Sequence, residues 1–130
     1  MKVMLDENLP PALAKALNAL FAGKHEIIHL RERFGPVVPD VDWIRALGAE
    51  GKWVIISGDR RITKSRVEYA AFRSSGLLGF FLSPGLLKAG TTKQMERICA
   101  LWDKIEIQQS ILTGGGVFEI PMTSVNLRQL

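Results

Sequence analysis

Apolar residues follow two rhythms along this chain: short unbroken runs, and longer stretches with a period near that of a helix. Lys2 to Leu5 (KVML), Trp53 to Ile56 (WVII) and Leu77 to Leu82 (LLGFFL) are compact runs of buried-strand length. His25 to Leu30 (HEIIHL) is also β-like, with two β-branched residues at its centre. Between the runs the period lengthens. Leu13, Leu17, Leu20 and Phe21 recur at helical spacing until Gly23. Asn8 is placed to cap that helix, and Pro10 and Pro11 fall in its first turn, where a missing N–H costs little. After a loop at Gly35-Pro36, Asp40 opens a second helix through Trp43, Ile44 and Leu47, which stops near Gly51. A third helix runs through Ala71 and Phe72. Beyond Ser83-Pro84-Gly85, Thr91 or Thr92 caps one long helix with Met95, Ile98, Cys99, Trp102 and Ile105 on a single face. Gly114 to Gly116 read as a flexible connection, and Val117 to Ile120 as an edge strand or a loosely held segment. The alternation of strands and helices predicts an α/β fold with a mainly parallel sheet of about four or five strands.

Composition narrows the class. The chain has 130 residues, 47% hydrophobic and 23% charged, which suits one soluble domain with a real core. No apolar stretch reaches the length of a membrane span. One Lys followed by Asp6-Glu7 does not make a signal peptide. A single cysteine, Cys99, cannot form an intrachain disulfide, which fits a reducing cytoplasm. The net charge of +4 tilts the chain towards a polyanionic partner.

Candidate chemistry collects where strands end. In open parallel sheets, sites gather at the carboxyl ends of the strands. The first strand ends in Asp6-Glu7 and the third in Ser57-Gly58-Asp59, while Asp40 and Asp42 stand at the start of the intervening helix. If the two strands are neighbours, these carboxylates converge on one rim, and their repulsion calls for a cation. Hard divalent ions such as Mg²⁺ or Mn²⁺ take such oxygen ligands and can promote phosphodiester hydrolysis. Arg60, Arg61, Lys64 and Arg66 lie beside Asp59 and could position a phosphate backbone. Structural roles compete at each position. Asp40 is equally a helix N-cap, Asp42 a first-turn acid favoured by the helix dipole, Asp59 a turn residue, and Glu7 a solvated side chain. Asp6 has the weakest structural alternative, because Asn8 already serves as the cap.

Several motifs are decoys. His25-Glu26-Ile27-Ile28-His29 spells H-E-x-x-H, but that zinc motif works on a helix. On a strand its two histidines would lie about 13 Å apart, at about 3.3 Å per residue, too far to share one zinc ion. The triple glycine has neither the spacing nor the lysine of a phosphate-binding loop. Cys99 and the tryptophans Trp43, Trp53 and Trp102 sit within periodic elements and read as core.

The stretches MKVMLDENLPPALAKAL, HEIIHL, PDVDWIRAL and WVIISGDRRITKS, in this order and spacing, resemble the PIN-like domains, specifically the VapC-type toxin branch. The resemblance extends through GLLGFFL, about the first two thirds of the chain. It implies a three-layer α/β sandwich and a single PIN-like domain over residues 1–130, with residues 113–130 as a flexible or partner-facing segment. It also implies a Mg²⁺- or Mn²⁺-dependent endoribonuclease, acting on RNA as a toxin restrained by an antitoxin protein. The resemblance makes Asp6, Asp42 and Asp59 the metal-holding acids, with Asp40 replacing Asp42 if the register shifts by half a turn. Arg60, Arg61 and Lys64 would steer RNA. Many relatives carry another Asp where Arg61 stands, so the fourth acid falls to Glu7, Asp40 or Glu68. The sequence leaves a homodimer open. A receiver-type signalling domain, with Asp59 as phosphoacceptor and Ser83 as its hydroxyl partner, is the main rival, although Arg60-Arg61 replaces the apolar loop expected there. A non-catalytic binding module of the same fold is another.

Overall fold

The computed structural model of the chain describes residues 1–112 and 114–130. In chain order it begins with β1 (Lys2–Leu5), α1 (Pro11–Leu20), β2 (Glu26–His29), α2 (Leu30–Phe34) and α3 (Asp40–Glu50). The middle comprises β3 (Trp53–Ser57), α4 (Arg61–Lys64), α5 (Arg66–Ser74) and β4 (Leu78–Leu82). Then follow α6 (Pro84–Lys88), α7 (Thr91–Ala100), α8 (Trp102–Ile111), β5 (Val117–Ile120) and β6 (Arg128–Gln129). The strands form one six-stranded sheet in the order β2-β1-β3-β4-β5-β6. β1 to β5 run parallel, and β6 closes the edge antiparallel to β5.

Strand alternation divides the core in two. Val3, Leu5, Val54, Ile56, Phe80 and Leu82 face α1, α7 and α8. Met4, Trp53, Ile55, Phe81 and Val117 face the opposite layer, where Trp43, Ile44 and Leu47 of α3, Ile62 of α4 and Phe72 of α5 pack on them. The strands are continuous apolar runs because helices cover both faces of the sheet. Each large side chain so buried favours the fold by about 1.5–3 kcal/mol over its exposed state. This is the three-layer α/β sandwich expected, with six strands in place of four or five. Among the described residues, no helix is long and apolar enough to cross a membrane.

Local differences from the sequence reading have physical causes. Asn8 does not cap α1. Pro10 occupies the cap position, and the Asn8 side chain instead accepts the Gly58 N–H at 3.1 Å, tying the β1–α1 loop to the end of β3. Asp40 does not cap α3, because Pro39 precedes it at the cap and Asp40 is already helical. The single long helix is two, α7 and α8, separated at Leu101. Leu101 and Trp102 are both buried, and α8 carries apolar residues around its circumference, so the one-face pattern does not continue through it. The break at Ser83-Pro84-Gly85 holds a further short helix, α6, whose first turn is capped by the Ser83 hydroxyl accepting the Leu86 N–H at 3.3 Å. Val117 to Ile120 is neither at the edge nor loose: β5 is buried along its length, between β4 and β6. Of the 113–130 segment, residue 113 lies outside the described residues.

The histidine pair is structural. His29 is fully buried, and its Nδ1 accepts the Arg31 N–H at 3.1 Å. Nε2 therefore carries the proton and donates it to the Leu9 carbonyl at 2.7 Å. His25 approaches the chain's amino group through Nδ1 at 2.8 Å instead. A strand keeps the two apart.

A candidate active site at the ends of β1 and β3

The parallel pairing of β1 with β3 sets Leu5 opposite Ile56, so the next residues, Asp6 and Ser57, emerge side by side. The Asp6 N–H prolongs the ladder by donating to the Ile56 carbonyl at 2.9 Å. Strand alternation then aims both side chains towards the layer of α3 and α5. This is also where strand order reverses: β2 lies to one side of β1 and β3 to the other, which in open α/β sheets opens a crevice. The crevice here is a cleft of about 510 Å³. One wall is acidic, with Asp6, Glu7, Asp40, Asp59 and Glu68 around the guanidinium of Arg61. The other is apolar, made by Leu30 and the loop of Pro36, Val37, Val38 and Pro39.

Each acid is held by a different device. Asp6 is only 4% exposed. Its Oδ2 accepts the Ser57 hydroxyl at 2.7 Å and its Oδ1 the Glu7 N–H at 2.6 Å. Burial pushes its pKa up, against the pull of those two hydrogen bonds, and the charges of Asp40 and Asp59 push it further. Ser57 Oγ also accepts the Asp59 N–H at 3.0 Å, so one buried hydroxyl fixes both strand-end acids. The Asp40 carboxylate accepts the Trp43 indole N–H at 2.9 Å, one helical turn along α3. Glu68, at the start of α5, has its pKa raised first by desolvation and then by Asp40 and Asp59. Asp59 is the exception. Arg61 Nε lies 2.9 Å from both of its oxygens and Nη2 2.6 Å from Oδ2, and the Arg61 N–H reaches Oδ1 at 2.9 Å. These bonds hold the Asp59 carboxyl below its usual range and push Arg61 up.

The structure therefore brings together Asp6, Asp40, Asp59 and Glu68, with Glu7 at the lip, paired to Arg31. Asp42 is not among them: it is exposed on the first turn of α3, two positions round the helix from Asp40. Arg60 also points elsewhere. Its guanidinium pairs with the buried Glu119 of β5: Arg60 is the residue before α4, and its side chain leaves the backbone about 100° from that of Arg61. Lys64 is exposed and does not line the cleft. Ser83, the hydroxyl a receiver would need, is spent capping α6 and lies outside the cleft. Reading the sequence missed Trp43 as the anchor of Asp40 and the apolar wall at residues 36–39. The signal in the sequence was the unbroken apolar tetrad Pro36-Val37-Val38-Pro39 within a loop; in the structure its Val37 is 89% exposed.

The donor set suits a hard cation in kind. Asp6, Asp40, Asp59 and Glu68 offer carboxylate oxygens; burial raises the pKa of Asp6 and Glu68 first, and the neighbouring acids Asp40 and Asp59 add to it, a smaller contribution that a cation would relieve. Among the described residues, no three His, Cys, Asp or Glu side chains form a ready-made cage. Mg²⁺ does not require one, since it keeps several waters and uses one or two carboxylates.

The family described as PIN like domain matches residues 1–84, from β1 to the start of α6. No curated protein and no solved structure matches the chain.

Proposed function

The chain belongs to the PIN-like domain family, whose fold is of nuclease type, and from that premise we propose that it is a metal-dependent endoribonuclease, the toxin of a toxin–antitoxin pair. One observation carries the reading: acids from α3, α5 and the segments following β1 and β3 meet at a single cleft where strand order reverses. Four carboxylates at one site are costly unless they serve a cation, because like charges raise one another's pKa.

In this reading Asp6, Asp40 and Asp59 hold Mg²⁺ or Mn²⁺, and Glu68 supplies the fourth acid. Asp40 takes the role that the family pattern gave to Asp42. The bound cation would supply an activated water and offset charge developing on the phosphodiester. Ser57 keeps Asp6 and Asp59 in register, and Trp43 keeps Asp40 turned inward. Arg61 faces the RNA backbone from the cleft, with Lys64 on the adjacent surface. The toxin role and its antitoxin partner extend the resemblance carried by DENLPP and SGDRRI.

Asp6→Asn and Asp59→Asn should each abolish Mn²⁺-dependent cleavage of RNA while leaving the circular dichroism spectrum unchanged. Cleavage at the parental rate by both variants refutes the site. A non-catalytic binding module is favoured by one feature, the neutralisation of Asp59 by Arg61, and calorimetry with Mn²⁺ separates it from an enzyme.

A further inference from the structure

Arg61 is the one cation among the residues that line the acidic wall, and its placement is unusual. Its side chain is 85% exposed, yet it spends its guanidinium on Asp59 through a fork of hydrogen bonds. Exposed arginines seldom gain from holding one geometry, since the ordering cost offsets most of the attraction. Here the geometry is over-determined, because the Arg61 N–H is bound to the same carboxylate and Asp40 and Glu68 add their fields. Asp59 is itself 12% exposed at its side chain and faces the cleft. A guanidinium thus occupies the oxygens that a divalent cation needs. It is also the natural bidentate partner of a phosphodiester.

We propose that Arg61 is an exchangeable counter-ion, which competes with the divalent cation for Asp59 and passes to the RNA phosphodiester when the cation binds. The inference rests on the nuclease reading and adds a linkage to it. The metal displaces Arg61 from Asp59 and so presents a free guanidinium to RNA. RNA, by holding Arg61, frees Asp59 for the metal. Each ligand then tightens the other by the same factor, as reciprocal coupling requires. The bare site binds the cation weakly, so the cleft loads metal and RNA together.

The test compares the parent chain with Arg61→Gln and Arg61→Lys. Calorimetry with Mn²⁺ alone should show Arg61→Gln binding about tenfold more tightly than the parent, with Arg61→Lys between them, as expected for a point charge without the fork. Fluorescence anisotropy of a labelled 2′-O-methyl oligouridylate should show tighter binding on adding Ca²⁺ for the parent, and a clearly smaller gain for Arg61→Gln. Thermal melting of the variants checks the fold. If the parent binds Mn²⁺ and Arg61→Gln binds it no better, the exchange is refuted and the metal site stands. If neither protein binds Mn²⁺, the metal reading falls and the exchange falls with it. Equal Ca²⁺ gains in both proteins also refute the exchange.

Discussion

Replacing Asp6 with Asn should change how stability depends on pH, and the sign follows from burial. Asp6 is almost fully enclosed, and its pKa stands above the 3.8 of an ordinary Asp. Between 3.8 and that raised value, the folded chain keeps a proton that the unfolded chain has released. The favourable contribution is therefore complete below pH 3.8 and is lost as pH rises through the raised pKa. One proton can change stability by at most about 1.4 kcal/mol per pH unit. Asp6→Asn lacks this dependence. It also turns an acceptor of the Ser57 hydroxyl into a donor, an offset of about 1 kcal/mol that does not vary with pH. Urea unfolding of parent and variant from about pH 4 to about pH 8 gives two stability curves. Asp59 and Glu68 titrate in both proteins, so the difference reports Asp6 together with its coupling to Asp59. Parent minus variant should fall with rising pH and then level off. Mn²⁺ at about a hundred times its Kd should then raise parental stability by about 2.7 kcal/mol, and raise that of the variant much less. A difference that stays flat across the range would refute the claim that burial governs this carboxyl.

Three further outcomes test separate parts of the structure. Asp40→Asn should lower cleavage at least about a hundredfold, whereas Asp42→Asn should stay within about twofold and lose about 0.5 kcal/mol of helix-dipole stabilisation, read by kinetics and urea unfolding. Arg60→Ala strands the buried Glu119 with only Arg128, 4.0 Å away, and should cost about 2 kcal/mol of stability without weakening RNA binding by anisotropy. His29→Ala removes the bonds to Leu9 and Arg31 together with a filled core position, and should cost about 3 kcal/mol by the same unfolding assay.

The strands of the sheet were legible because they are short apolar runs between polar turns, and KVML and WVII were placed within a residue of β1 and β3. Their adjacency was a condition in the sequence and a fact only in three dimensions, since strand order depends on how the crossovers wind. Asp6 stands out in the sequence as an acid without a structural task once Asn8 is taken as the helix cap. The structure places Asp6 in the cleft and gives Asn8 a different task, its side chain bracing the end of a neighbouring strand. Such a bond spans many residues of sequence and leaves no local trace. The choice between Asp40 and Asp42 was not legible either. Two acids two positions apart on a helix point in very different directions, and the phase of α3 is set by Trp43, Ile44 and Leu47 packing on the sheet. Arg60 and Arg61 were alike in sequence for the same reason. The step of about 100° between consecutive residues at the start of α4 sends the first to Glu119 and the second to Asp59.

β6 has only two residues, yet it decides what the sheet presents to other chains. Behind it lies β5, four buried residues whose unshielded edge would offer unpaired N–H and C=O groups to any extended segment. The Leu130 N–H closes on the Val117 carbonyl at 2.9 Å, and Arg128 sets a positive charge along the outer rim beside Glu119. The opposite edge, β2, carries the exposed Glu26. Both margins of a mainly parallel sheet, which pairs slowly and is exposed to aggregation while it folds, therefore carry charge, and one side is closed by a strand of two residues.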